Sequence, residues 1–149
     1  MIDERLRLDN QLCFPIYAAS RLFVRVYQPH LDQLGLTYPQ YLVLMVLWEH
    51  DEAIVSEIAD RLLLNTNTIT PLLKRMEAQG LVMRQRSDAD ERKVVVRLTE
   101  HGRQLQAQAV KIPELFIAGL VHEAAGLDDL RRLRDKLTDI IDQIDLHTP

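Results

Sequence analysis

Between Asn65 and Gly80 the apolar residues return at helical spacing, with Ile69, Leu72, Leu73 and Met76 at i, i+3, i+4 and i+7. One stripe of this helix therefore faces a core. The opposite face carries Asn67, Thr70 and Lys74, with Arg75 and Gln79 at its flanks, side chains of the kind that meet bases and phosphates. Asn65 and Thr66 can cap the first free N–H groups, and Gly80 can end the helix in a left-handed turn. Pro71 predicts that regular hydrogen bonding starts late. Just upstream, Ser56 is placed to cap a short helix through Leu63, with Ile58, Ala59 and Leu62 inward. Two helices joined by the tight turn Leu64-Asn65-Thr66 read as a helix-turn-helix.

Past Gly80 the period changes from 3.6 to 2. Leu81 to Arg86 and Lys93 to Leu98 read as strands around a polar turn, Ser87 to Arg92, giving a hairpin with a charged tip. Asp90 stands two residues before Arg92, where it can hold the guanidinium by a bidentate pair. Towards the N-terminus, Met1 to Leu8 is polar and predicted to fray, and a helix is predicted from about Cys13 to about Pro29. Gly35 to Pro39 is a turn, with Thr37 or Tyr38 as cap, into the run Tyr41 to Trp48, apolar all round and read as a buried helix. Ala53 to Val55 fits a very short strand. On the C-terminal side, Thr99 caps a helix running through Leu105, Ala109 and Ile112 to a break at Pro113. Gly126 and Asp128 open a last helix with a narrow seam of Leu130, Leu133, Leu137, Ile140, Ile141 and Ile144, the pattern of an oligomerising helix.

The fold class that follows is mainly α with a small β wing. The expected division is residues 1–36 as an N-terminal dimerisation and sensor helix, 37–100 as a winged helix-turn-helix, and 101–149 as C-terminal dimerisation helices.

Composition adds two constraints. The 149-residue chain has a formal net charge of −4, which argues against a general polyanion binder. The charge is uneven, because Lys74, Arg75, Arg84, Arg86, Arg92, Lys93 and Arg97 crowd the helix and hairpin. A local basic patch on an acidic chain suits contact with nucleic acid through one element. The candidate DNA contacts are Asn65, Asn67, Thr68, Thr70, Lys74 and Arg75 on the helix and Arg84, Arg86, Asp90, Arg92 and Lys93 on the hairpin. One cysteine excludes an intrachain disulfide, and no targeting or lipidation motif and no membrane-length apolar run is seen, so a cytoplasmic protein is expected. His30, His50, His101, His122 and His147 are dispersed without ligand spacing, and no phosphate-binding glycine loop is present; neither metal nor cofactor is expected.

Several stretches carry a family resemblance. Asp88-Ala89-Asp90-Glu91-Arg92-Lys93, followed by Leu98-Thr99-Glu100-His101-Gly102, resembles the D-x-R wing and L-T-x-x-G junction of MarR-family winged-helix regulators. Leu12-Cys13-Phe14, Tyr17 to Arg21, Leu36 to Leu42 and Thr70 to Arg75 are similar to the organic-hydroperoxide-resistance branch of that family. The resemblance runs from about Asp9 to Arg103. It implies a homodimeric repressor on a pseudo-palindromic operator that senses organic hydroperoxide through Cys13. It also implies that Tyr27 and Tyr38 hydrogen-bond the reactive sulfur and that Tyr17 belongs to the same pocket. Two departures stand out. The second, resolving cysteine frequent in that branch is absent, and Asn65-Thr66-Asn67 replaces a D-S-G-like run.

The chemistry expected at Cys13 follows from its place. A thiol meets peroxide as its thiolate, and a helix N-terminus favours an anion. Cys13 and Tyr27 are fourteen residues apart, roughly 21 Å along one helix, so Tyr27 cannot reach its own Cys13 unless the helix folds back, but can reach that of a second chain if the two helices pack antiparallel about a two-fold axis. Without a resolving cysteine the sulfenic acid is expected to proceed to a mixed disulfide with a low-molecular-weight thiol or to sulfinic acid. Three other readings fit the same residues: a structural helical dimer without DNA binding, which would leave the Arg84–Lys93 hairpin idle, a repressor released by a phenolic or aromatic ligand, and a small thiol peroxidase. The last lacks a histidine or arginine near Cys13 in sequence, Arg21 being the nearest cation downstream.

Overall fold

The computed structural model describes residues 3–120 and 126–145. The chain divides into two compact units, Met1–Val110 and Lys111–Pro149. In the first unit the elements run α1 (Cys13–Asp32), α2 (Tyr38–His50), β1 (Glu52–Ile54), α3 (Val55–Arg61), α4 (Thr66–Ala78), β2 (Val82–Arg86), β3 (Val94–Leu98) and α5 (Glu100–Ala109). The sheet is antiparallel in the order β1-β3-β2, with Arg86 opposite Val94 and Val82 opposite Leu98 in the hairpin and Ala53 opposite Val96 on the other side. The second unit holds α6 (Ile112–Leu120) and α7 (Leu127–Asp145). No helix of the described residues is long and apolar enough to cross a membrane.

The core of the first unit forms around α2. Its Tyr41, Val43, Leu44, Val46 and Leu47 are buried, so the run that is apolar all round is covered on most sides. Helix α2 packs on α1, α3, α4 and α5 and on strands β1 and β3. Ile58 and Ala59 of α3 and Ile69, Leu72, Leu73 and Met76 of α4 complete the core, the predicted stripe of α4 among them. Each of the Val, Leu, Ile and Met side chains among them stabilises the fold by about 1.5–3 kcal/mol on burial. Thr37 is the N-cap of α2, and its N–H donates to Gln40 Oε1 at 3.0 Å. Gln40, the one buried polar side chain described, also donates to Gln79 Oε1 at 2.7 Å and so ties the start of α2 to the end of α4.

Several boundaries differ from expectation. Helix α1 does not stop at Pro29 but runs to Asp32. A proline in the last turn removes one hydrogen bond, whereas the stop is made by Gly35 (φ +67°) and by Leu36 N–H donating to the Leu31 carbonyl. Residues 4–8, within the stretch expected to fray, form two 3₁₀ turns together with Asp9 and Asn10, held by Asn10 donating to the Glu4 carbonyl and Gln11 to the Arg5 and Arg7 carbonyls. Met1 and Ile2 lie outside the described residues. Ser56 is not the cap of α3: the helix starts at Val55, and the free Ile54 N–H is taken by Glu57 Oε2 at 3.0 Å. Pro71 does not delay α4, whose first full-turn bond is Ile69 N–H to the Asn65 carbonyl; it removes only the later bond to the carbonyl of Asn67. The closing region is three helices rather than two. The break falls at Val110 and Lys111, and Pro113 takes the second position of α6, where an N–H would have no partner.

Where α4, the hairpin and α5 meet, the L-T-x-x-G junction acquires a physical reason. Leu98 is buried; Thr99 caps α5 by accepting the Gly102 N–H at 3.0 Å and donates its hydroxyl to the Gly80 carbonyl at 2.6 Å. Gly102 sits so close that a Cβ there would collide with the Leu81 carbonyl oxygen and press on Leu98 Cδ2 at 3.1 Å. Gly80 is needed for another reason: its φ of +70° closes α4, with its N–H on the Glu77 carbonyl and that of Leu81 on the Met76 carbonyl. Alanine at the two positions should therefore fail by different amounts. Gly80→Ala, with open space around it, should lower unfolding free energy by about 1 kcal/mol. Gly102→Ala should lower it by about 2–3 kcal/mol because backbone must move. Urea denaturation of both variants checks the order, and equal midpoints would contradict it.

Candidate nucleic-acid interface and thiol site

Helix α4 presents its polar side to solvent. Asn65 is the N-cap, and its Oδ1 accepts from the Thr68 N–H at 2.9 Å and from the Thr68 hydroxyl at 3.0 Å. The two side chains are thus joined at the first turn. Asn67, Lys74 and Arg75 are exposed and Thr70 is half-buried; Asn67, Thr70 and Lys74 follow one another about a turn apart on one face, with Arg75 at its flank.

The hairpin stands beside that face. Arg86, Arg92 and Lys93 are exposed, and the Arg92 side chain is 91% accessible. The Asp90–Arg92 pair expected from their spacing is formed. Asp90 Oδ1 accepts the Arg92 backbone N–H and Nε, each at 3.1 Å, and Lys93 N–H donates to the Asp90 carbonyl at 2.9 Å. The Arg92 guanidinium and backbone N–H hold the Asp90 carboxyl below the usual carboxylate range. Arg84 is placed differently from the other basic residues. Its Nε and terminal nitrogen lie 3.0 and 2.7 Å from Glu77 Oε2, and its N–H donates to Glu77 Oε1 at 3.0 Å. It binds β2 to α4, and it pulls the Glu77 carboxyl below its ordinary value.

Between α4 and the hairpin lies an open cleft of about 240 Å³. Ser56, Thr66, Thr70, Arg92 and Lys93 supply hydroxyls and cations to its rim, and Ile54, Val55, Leu73 and Val94 supply apolar wall. A helix face with amides and hydroxyls, a cationic hairpin tip, and a cleft between them fit a duplex whose adjacent grooves are separated by one sugar–phosphate strand.

The second group of candidate residues lies along α1 and the start of α2. Cys13 is the first residue of α1 and is exposed. Pro15 is at the third position, where a missing N–H costs nothing, and Cys13 stands in the first turn, whose N–H groups have no partner within the helix. Tyr17 is 60% exposed, with the Arg21 guanidinium 5.5 Å from its ring centroid. Tyr27 and Tyr38 are brought together, ring centroids 5.1 Å apart. Because α1 is one uninterrupted helix, Cys13 and Tyr27 of the same chain are separated by about 21 Å of it. Sequence reasoning missed the third ring, Tyr41, at 6.2 Å from Tyr27 and 6.4 Å from Tyr38, and Trp48 at 6.2 Å from Tyr41. Their signal was the i, i+3, i+10 spacing of Tyr38, Tyr41 and Trp48 within the all-apolar run.

Burial raises all three phenols above their ordinary value. Tyr27 is pushed up to about 12, by burial first and then by neighbouring Tyr38 and Tyr41. At neutral pH each is a neutral O–H donor. Among the described residues no group of three His, Cys, Asp or Glu side chains could hold a metal; His122 and His147 lie outside them.

Helix α1 also bears exposed apolar side chains, Phe14, Leu22 and Val26 among them. In the second unit Leu133, Ile140, Ile141 and Ile144 of α7 are likewise exposed, Ile144 at 61%.

Comparison with known proteins points one way. The family described as transcriptional regulator SarA/Rot matches residues 25–108. The organic hydroperoxide resistance transcriptional regulator of Bacillus subtilis (strain 168) is 45% identical over 141 residues, 95% of this chain and 94% of the relative. Among solved structures, reduced AbfR bound to DNA superposes with a TM-score of 0.78 at 38% identity over 97% of this chain and 99% of the other; AbfR is a protein of Staphylococcus epidermidis. The transcriptional repressor CouR, bound to a 23-mer DNA duplex, gives 0.80 at 25% identity over 95% and 99%.

The tyrosine cluster makes an alkaline prediction. A raised folded pKa means that the fold retains protons the unfolded chain has lost. That contribution is therefore complete below about pH 10 and lost as pH rises through 12. Absorbance at 295 nm should show Tyr27 ionising last, and Tyr27→Phe should abolish that final step and flatten the fall in stability above pH 10. A Tyr27 that titrates at the free-phenol value would remove the cluster as described.

Proposed function

Because the chain belongs to the SarA/Rot-type winged-helix transcriptional regulators and is 45% identical to an organic hydroperoxide resistance regulator, we propose that this DNA-binding regulator is a homodimeric repressor released from its operator by oxidation of Cys13. The observation that carries the reading is the pairing of an exposed thiol at the first residue of α1 with a half-buried cluster of neutral phenols at that helix's far end.

The dimer supplies what one chain lacks. Two α1 helices packed antiparallel about a two-fold axis bring Tyr27 and Tyr38 of one subunit over Cys13 of the other. The exposed apolar side chains of α1 and of α7 support such packing. In the reduced state α4 enters the major groove, Arg92 reaches the adjacent minor groove, and the cleft between them takes the intervening backbone. Asn65, Asn67, Thr68, Thr70, Lys74, Arg75, Arg86, Asp90 and Lys93 form or support that surface, and Arg84 supports it through Glu77.

Oxidation then proceeds in two balanced steps. The Cys13 thiolate attacks one oxygen of an organic hydroperoxide; the O–O bond breaks, an S–O bond forms, and the alkoxide leaves as alcohol with a proton. The sulfenic acid next condenses with a low-molecular-weight thiol, forming a mixed disulfide and water. No second cysteine in the chain competes for this step. The added group displaces the phenols that had donated to the sulfur, and the dimer's DNA-reading heads change their separation. The relatives of this chain are regulators, which favours a switch at Cys13 over a turnover site.

Two measurements test the reading, with a duplex selected from a randomised pool by the reduced protein. Cumene hydroperoxide plus cysteine should lower affinity of the wild type at least about tenfold, a change of 1.4 kcal/mol, and leave Cys13→Ser unchanged. A Cys13→Ser protein still released by the oxidant, or a wild type still bound with Cys13 oxidised by mass, would sink the redox mechanism. Release of both proteins by a phenolic compound alone would favour ligand sensing. For the wing, Arg92→Ala should weaken binding and lower the slope of log affinity against log salt by about one.

A further inference from the structure

A continuous line of contacts leads from the phenols to the base of the wing. Ring centroids step from Tyr27 to Tyr38 at 5.1 Å, to Tyr41 at 6.4 Å and to Trp48 at 6.2 Å, the last pair edge to face. The Trp48 indole N–H donates to the Gly102 carbonyl at 2.9 Å. Gly102 is wedged against the Leu81 carbonyl, and its own N–H is bound by Thr99, which also holds the Gly80 carbonyl. Gly80 and Leu81 are the residues that close α4 and begin the hairpin. The rings succeed one another at centroid separations of 5.1–6.4 Å, the range of packed aromatic pairs, and the links beyond Trp48 are hydrogen bonds or close backbone approach.

The arrangement at the two ends differs in kind. Aromatic rings that meet tilted or edge-on can exchange one packing for another with a small change in energy. The seat of Gly102 cannot, because no atom can be added there without displacing backbone. Trp48 is the element that touches both. Its ring follows the tyrosines, and its one donor is fixed to the rigid seat. A change of ring packing therefore reaches α5, and through Thr99 the end of α4 and the wing, as a displacement rather than being absorbed.

We propose that Trp48 is a positioning residue for DNA binding, which couples the packing of Tyr27, Tyr38 and Tyr41 to the angle between α4 and the wing through the Gly102 carbonyl. Its use by an oxidant rests on the cysteine reading above; the coupling of the phenols to DNA affinity does not.

The test is a double-mutant cycle on the full chain with the selected duplex, using Tyr38→Phe, which removes a phenol oxygen, and Trp48→Phe, which keeps a ring and removes the donor. Tyr38→Phe should change affinity at least about threefold with Trp48 present and less than about 1.5-fold in Trp48→Phe, a non-additivity that only coupled residues show. An equal effect in both backgrounds, or no effect of Tyr38→Phe at all, overturns the proposal. In the oxidant arm, wild type should lose at least about tenfold in affinity and Trp48→Phe less than about threefold at equal Cys13 oxidation. Full release of Trp48→Phe also overturns it. If wild type stays bound when oxidised but the cycle is non-additive, the cysteine reading fails and the coupling stands. Trp48 is the sole tryptophan, so its emission gives a readout without substitution there. The emission must shift in the Tyr38→Phe chain, and an unchanged spectrum counts against the proposal even if Trp48→Phe does not fold.

Discussion

The carbonyl oxygen of Leu81 occupies the space that a side chain at position 102 would need, and the first turn of α5 lies against the end of α4 only because that side chain is missing. Around this contact Thr99 gathers the Gly80 carbonyl and the Gly102 N–H, Trp48 adds its indole N–H, and Asp51 adds a bidentate pair to Arg103 at 2.8 and 2.6 Å. Asp51 itself ends α2 in the left-handed region at φ +65° and gives its carbonyl to the Leu98 N–H. Helices α2, α4 and α5 and strands β2 and β3 are therefore indexed to one small corner. The spacing between the polar face of α4 and the wing tip, on which a fit to two grooves depends, is inherited from it.

Electrostatics at the same surface are arranged by the acids as much as by the bases. A chain with net charge −4 can still offer a cationic face, because bases outnumber acids there, and two of those acids hold bases in position. Glu77 fixes Arg84 to the flank of β2, and Asp90 fixes Arg92 at the tip. Away from that face, Glu49 pairs with Arg61 and Glu52 with Arg97. Such exposed pairs add little to stability one by one. Their effect is to decide which cations remain at the surface facing a polyanion.

Much of this was legible in the residue order, for identifiable reasons. The α4 stripe, the hairpin and the Asp90–Arg92 pair rest on short-range periodicity and two-residue spacing, which sequence displays directly. The ends of α1 and α3 were not, since Gly35 outweighs Pro29 and the Glu57 carboxylate outweighs the Ser56 hydroxyl only once the local backbone is known. Arg84 looked equivalent to Arg86 until the fold placed Glu77 beside it. Tyr41 and Trp48 were hidden by an all-apolar run, where no face stands out and only the packing of α1 on α2 shows which rings converge.

The pairing of Arg92 with Asp90 has a thermodynamic side. A long cationic side chain that wanders in solution must be immobilised when it enters a groove, at about 0.5–1.5 kcal/mol of lost rotamer freedom. Here three hydrogen bonds to one carboxylate, from the backbone N–H, Nε and a terminal nitrogen, restrict it beforehand while leaving its outer edge open. For the groove contact proposed above, that entropy is surrendered during folding, where the rest of the hairpin shares in the ordering, and a larger fraction of encounters with a duplex would arrive with the guanidinium already restrained.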